Sequence, residues 1–187
     1  MTPHQSNLRT GRSSEIGRIY VITKCVEGRK PLLTAPVDGQ WPSDRVIDSL
    51  RTLMRLNAWT CLGYVVMPDH VHFVIRLMTG TLFSHMNRFS TFTGREINSL
   101  RGESGTFWQE GYFDHALRGE RSLTAYLTYM MANPVRANLV AHATDWKWSA
   151  AYPKWEGSAP EGPPTSTGQC CRSGPQAAIQ TSDHKEK

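Results

Sequence analysis

Two histidines separated by one residue, His70 and His72, lie within the most apolar run of the chain, residues 65–77. In a strand, side chains alternate between faces, so both imidazoles project from one face and Val71 and Phe73 from the other. Two imidazoles side by side on a rigid strand can hold a divalent metal ion. The plainer alternative is a pair of ordinary histidines at the start of a half-buried strand. Which reading holds depends on the elements that position them.

Residues 18–25 are rich in β-branched and aromatic side chains and read as a first strand. Residues 28–40 contain two prolines and two glycines and read as a loop. Ser43-Asp44 predicts the cap of a helix whose stripe is Val46, Ile47, Leu50, Leu53 and Met54, ending near Asn57. Residues 60–67 and 71–77 form the second and third strands, joined by a tight turn at Pro68-Asp69 with His70 at its exit. A second helix over 81–100 carries Leu82, Met86, Phe89, Thr93, Ile97 and Leu100 on one stripe, with His85, Arg88 and Arg95 off it. Phe107-Trp108 and residues 112–117 give a fourth strand interrupted at Glu110-Gly111, and a third helix starts near Ser122. Pro134 disfavours helical geometry at Asn133, so this helix ends or kinks there. Residues 145–155, with three tryptophans, form a short closing element.

The order βαββαβ followed by a helix is the ferredoxin-like pattern: an α+β fold with an antiparallel sheet, helices on one face and the first and third strands central. The histidine strand is the third. Residues 1–15 are expected to be a flexible N-terminus, 16–156 one domain, and 157–187 a disordered tail. That tail has four prolines, four glycines and no aromatic residue, too little apolar surface to offset its ordering entropy.

The formal net charge is +5. In the tail Arg172, Lys185 and Lys187 balance Glu161, Asp183 and Glu186, so the excess belongs to the domain and favours a polyanionic partner. Four cysteines, none in a C-x-x-C pair, exclude a zinc-finger spacing or a disulfide framework. No run approaches the ~18 apolar residues of a membrane helix. With a polar N-terminus as well, the expectation is a cytoplasmic protein without membrane contact.

The block from Met67 to Phe73, MPDHVHF, resembles the His–hydrophobic–His motif of single-tyrosine transposases. Two further blocks are similar to the same group, residues 107–115 (FWQEGYFDH) and 126–140 (YLTYMMANPVRANLV), as is residues 145–152 (DWKWSAAY). Together they resemble the REP-associated tyrosine transposases over roughly residues 17–155. The resemblance implies cleavage of single-stranded DNA by a tyrosine, leaving a 5′-phosphotyrosine and a free 3′-hydroxyl. It implies Mg²⁺ or Mn²⁺ held by His70 and His72, and DNA hairpins formed by palindromic repeats as the partner; imidazole ligands alone suit zinc equally. The family's nucleophile lies on a helix with Asn or Gln about one turn later. Tyr129 and Asn133, at i and i+4, match this, with Asn133 as a further metal ligand or a helix terminator. Tyr126, on the apolar stripe, is the other candidate.

His115 would act near the site as a base, a phosphate contact or a supporting group, or be a plain surface histidine. Asp69 either orients a histidine or serves the turn, and the turn is the favoured reading. Arg18, Lys24, Arg88, Arg95, Arg118 and Arg136 would line a face for the DNA backbone; Trp108, Tyr112 and Phe113 could stack on bases, with core packing the plainer reading for most of them. Two other functions remain open. One is a DNA-hairpin-binding protein that does not cleave. The other is a zinc hydrolase, which needs a third strong ligand, with His115 the candidate. Monomer and dimer are both compatible with the sequence.

Overall fold

The computed structural model describes residues 14–117 and 120–151. The expected tail, most of the expected N-terminal segment and Arg118 lie outside the described residues. The elements run β1 (Ile19–Cys25), α1 (Pro42–Arg55), β2 (Trp59–Val66), β3 (His70–Leu77), α2 (Leu82–Arg101), β4 (Phe113–Ala116), α3 (Glu120–Met131), α4 (Asn133–Arg136) and β5 (Ser149–Ala151). The strands form one antiparallel sheet in the order β4-β1-β3-β2-β5. β1 and β3 are interior, as the ferredoxin-like pattern requires, and β3 is at the centre.

Period-two alternation divides the sheet into two apolar faces. Tyr20, Ile22, Trp59, Cys61, Val71, Phe73, Ile75 and Leu77 pack with Val46, Leu50 and Leu53 of α1 and Met86, Phe89 and Ile97 of α2. On the other face Val21, Val65, Met67 and Val74 meet Leu127, Met130 and Met131 of α3. Phe73 and Phe89 are fully buried with ring centroids 5.4 Å apart. Each such side chain contributes roughly 1.5–3 kcal/mol of burial. α3 therefore covers the face toward which His70, His72 and Val74 point, and α1 and α2 cover the opposite one.

Three elements depart most from the sequence reading. α1 begins one residue before the expected cap, with Trp41 as N-cap and Pro42 in the first turn, where a missing N–H costs nothing. Ser43 does not cap: its amide and its Oγ both donate to the Leu33 carbonyl, at 2.9 and 2.6 Å. The fourth strand shortens to four residues: Trp108 still bridges to Val26 just past β1, and the expected interruption at Glu110-Gly111 separates it from Phe113–Ala116, with the Lys24 ammonium bonded to the Gln109 and Gly111 carbonyls. The closing element becomes a fifth strand on the free edge of β2, fixed by the Trp146 Nε1 bond to the Val66 carbonyl at 2.9 Å.

Gly63 lets α3 approach. A Cβ there would stand 2.7 Å from Leu127 Cδ2, 3.1 Å from the Ala150 carbonyl and 3.3 Å from Met130 Cε. It follows a register shift in β2 between Cys61 and Gly63, the kind of irregularity glycine tolerates. α3 ends at Met131 and the short α4 resumes at Asn133, Pro134 occupying its first turn. This is the kink expected from the proline.

Candidate metal and nucleophile site

The β1–β3 register sets Thr23 opposite His72 and Cys25 opposite His70. The two imidazoles stand on one face with their Nε2 atoms 2.9 Å apart and their rings nearly perpendicular, at 88°. Each Nδ1 has its own partner: Asp69 Oδ1 at 2.6 Å for His70 and Thr23 Oγ1 at 2.8 Å for His72. Asp69 Oδ2 in turn receives Arg29 Nε at 2.9 Å.

One proton assignment satisfies the whole row. Arg29 and His70 Nδ1–H donate to the Asp69 carboxylate, His72 Nε2–H donates to His70 Nε2, and the Thr23 hydroxyl donates to His72 Nδ1. Burial, above all, holds His72 well below the ordinary histidine value, and the charges of Arg29, of Arg136 and of His70 when it is protonated act in the same direction. Burial alone would raise the Asp69 pKa. The His70 hydrogen bond and the charges of His70 and Arg29 outweigh it, and the carboxyl titrates below its usual value.

Asp69 therefore does more than shape the turn. Its backbone carbonyl accepts from the Val26 amide at 2.9 Å, as a turn residue's can, and its carboxylate orients His70, against the reading that favoured the turn. Thr23 and Arg29 are supporting residues that sequence reasoning missed. Thr23 is an ordinary strand residue until β1 pairs with β3. Arg29 reaches Asp69 from a tight turn after β1, where Gly28 and Arg29 both adopt positive φ, 64° and 57°. A bulky residue at positive φ is uncommon and marks a constrained position, but no sequence pattern announces it.

The donor set fits a divalent ion. Two nitrogens each ~2.1 Å from one ion, at right angles, would be ~3.0 Å apart, close to the observed separation. Hydrogen-bonded Nδ1 atoms are the usual backing of histidine ligands. Among the described residues no group of three His, Cys, Asp or Glu side chains gathers. Further ligands would therefore come from an amide, water or substrate oxygen, a sharing common for magnesium.

Tyr129 is half-buried on α3, on the histidine face of the sheet. Tyr126 packs against the apolar cluster beneath α3, as its stripe position implied, with ring centroids 6.4 Å from Tyr129. Asn133 Oδ1 accepts a short hydrogen bond from Arg136 Nη2, and the Arg136 Cζ lies 3.8 Å from the Tyr129 ring centroid. One guanidinium thus joins the tyrosine and the asparagine, and its charge is among those felt by His72.

Among the described residues, the other basic side chains named from sequence do not share one face. Lys24 is buried on the α1–α2 side, its Nζ donating to the Gln109 and Gly111 carbonyls at 2.5 Å each, so it clamps that segment and does not face solvent. Arg18 pairs with Glu15 at 2.5 Å. Arg88 and Arg95 are exposed on α2, across the sheet from the histidines. His115 is exposed on β4, opposite Val21 and so on the histidine face. It is two strands and two registers from His72, roughly 12 Å, and joins no ligand group. Trp108 is buried, its Nε1 bonded to Thr93 Oγ1 at 2.8 Å, which removes it as a base-stacking surface.

The family model described as "Transposase IS200 like" matches residues 18–133. The chain belongs to the IS200-like transposase family. A REP-associated tyrosine transposase of Escherichia coli (strain K12) is 29% identical over 100 residues, covering 52% of this chain and 54% of its own. A Haemophilus influenzae relative is 27% identical over 99 residues, covering 46% of this chain and 56% of its own. The chain thus spans about half the length of the curated relatives it matches. A solved REP-associated tyrosine transposase bound to a REP hairpin superposes with a TM-score of 0.62 at 20% identity, over 87% of this chain and 95% of that one. That likeness is one of fold. Among the described residues no helix is long and apolar enough to cross a membrane.

Proposed function

We propose that this IS200-like family member nicks and rejoins single-stranded DNA beside hairpin-forming repeats, with Tyr129 as nucleophile and a divalent ion, Mg²⁺ or Mn²⁺, at His70 and His72. The observation that carries the reading is the pair of Nε2 atoms 2.9 Å apart, each imidazole backed at Nδ1, on the sheet face that the Tyr129 helix covers. Hairpin DNA as the substrate is supported by the relative solved with a REP hairpin.

In this reaction the Tyr129 oxygen attacks the scissile phosphorus. A tyrosyl O–P bond forms as the P–O3′ bond breaks, the phenolic proton is given up, and the 3′-oxygen leaves as a hydroxyl. Attack by a 3′-hydroxyl on the phosphotyrosine reverses these steps and rejoins a strand. A tyrosine hydroxyl of ordinary pKa, ~10, is a weak nucleophile at neutral pH, so it needs help. The ion, when bound, would neutralise charge developing on the phosphate. Asp69 keeps the proton on His70 Nδ1 and so leaves the Nε2 lone pair free to coordinate. For His72 to offer its Nε2 lone pair, the proton must sit on Nδ1. The Thr23 hydroxyl can then accept instead of donate, since it can do either. Asn133 Oδ1 accepts from Arg136 and keeps a second lone pair through which it could serve as a further ligand.

The test is incubation with a hairpin-bearing single-stranded oligonucleotide and Mg²⁺ or Mn²⁺. A denaturation-resistant protein–DNA adduct is expected, and it disappears in Tyr129→Phe. An adduct that survives that change refutes Tyr129 as nucleophile. Hairpin binding without an adduct under either metal refutes cleavage and leaves a DNA-binding protein.

A further inference from the structure

Arg136 looked from sequence like one more cation for the DNA backbone; it is exposed, yet its guanidinium lies against the ring of the proposed nucleophile. The last carbonyls of a helix lack intrahelical partners, and α3 ends two residues after Tyr129. Arg136 Nη1 donates to the Tyr129 carbonyl at 2.9 Å, Nη2 donates to Asn133 Oδ1, and Cζ lies over the Tyr129 ring at 3.8 Å. Its own backbone is fixed in α4, its amide donating to the Ala132 carbonyl at 3.0 Å. From α4, seven residues beyond Tyr129, the Arg136 side chain reaches back to the end of α3.

We propose that Arg136 is the positioning residue of Tyr129. One planar group binds the tyrosine's main chain, covers its ring and ties both to Asn133, and this fixes the direction of the hydroxyl. The inference rests on Tyr129 being the nucleophile. A half-buried tyrosine at a helix end would otherwise distribute over staggered rotamers, only one of which aims the oxygen along the attack line. A misplacement of about 1 Å costs up to ~100-fold in rate. Lysine cannot replace this arrangement. Its ammonium is a point charge without the flat fork that donates in two directions while stacking.

The experiment separates positioning from phosphate binding. Arg136→Ala and Arg136→Lys are compared with the unaltered protein for hairpin-oligonucleotide affinity at several salt concentrations and for the rate of adduct formation at saturating DNA. For both variants the expected result is a rate loss of roughly ten- to a hundredfold, with DNA affinity and its salt slope unchanged within about twofold. A phosphate contact gives the opposite pattern: weaker binding, a salt slope smaller by about one, an unchanged saturating rate and rescue by lysine. That pattern overturns the proposal. A thermal-unfolding cycle of Arg136→Ala with Tyr129→Leu reads the contact without catalysis, and additive melting shifts would also overturn it. Tyr129→Phe distinguishes the two levels. An adduct that persists there removes the nucleophile reading itself. An adduct lost there but formed at full rate by Arg136→Ala removes only the positioning role.

Discussion

Asp69→Asn is the most informative single change at the histidine pair. The carboxylate accepts from His70 Nδ1 at 2.6 Å and from Arg29 Nε at 2.9 Å, one oxygen each. An amide has one acceptor oxygen, so one of these donors must face an NH₂ group. Hydrogen bonds to charged groups are worth ~1.5–3 kcal/mol. The carboxylate is 23% exposed and Arg29 36%, so solvent screening moves the expected loss of folding stability to about 1–2 kcal/mol. That is small against the ~5–15 kcal/mol of a typical domain, and the variant should remain folded. The larger effect is on the ion. Arg29 can only donate and so keeps the amide oxygen, leaving the NH₂ group to face His70, whose ring then rotates or places its proton on Nε2, the atom that must coordinate. Loss of such a supporting group costs ~10–100-fold in metal affinity, or about 1.4–2.7 kcal/mol. Calorimetric titration of Mn²⁺ into both proteins, with circular dichroism to verify folding, measures it. A folded Asp69→Asn protein that binds Mn²⁺ within twofold of the unaltered one would refute the orienting role.

Two further predictions concern packing and pH. Gly63→Ala should destabilise by about 1–3 kcal/mol in urea unfolding, because the new Cβ meets the Ala150 carbonyl as well as Leu127. It should also slow adduct formation by displacing α3, and an unchanged midpoint would show that α3 is not held by this contact. Stability should fall as pH drops below the ordinary histidine value of ~6.5. The unfolded chain takes up a proton there that folded His72, with its lowered pKa, refuses. The stability is therefore present above that value and is lost on acidification until the folded-state pKa is reached, by at most about 1.4 kcal/mol per unit. Asp69 adds a loss of the same sign at lower pH, as the pH falls from the ordinary carboxylate value of ~3.9 through its lowered folded value. Urea unfolding in chelator at pH 7.5 and 5.5 checks the His72 contribution, and Thr23, Asp69 and Arg29 stay in place if His72→Gln is the comparison. Equal pH slopes in the two proteins would contradict it.

What the sequence determined by itself is local and periodic. Alternation on β3 put His70 and His72 on one side because strand geometry leaves no other choice. The stripes of α1 and α2 fixed which surfaces those helices bury, and Pro134 announced the break that follows Met131. Tyr129 and Asn133 could be set one turn apart from spacing alone. Tertiary structure decided the partners. Thr23 and His72 are 49 positions apart and meet only through the β1–β3 register. Asp69 turned out to orient His70 because the turn directs its carboxylate at the ring, a matter of rotamer that composition does not encode. Charge was the least legible property. Lys24 spends its ammonium on two buried carbonyls and Arg136 its guanidinium on Tyr129 and Asn133, while Arg88 and Arg95 lie across the sheet. A charged side chain reads as solvent- or DNA-facing in sequence because its sign is visible there. Its direction is set by which unsatisfied carbonyls, rings and amides the folded chain brings within reach.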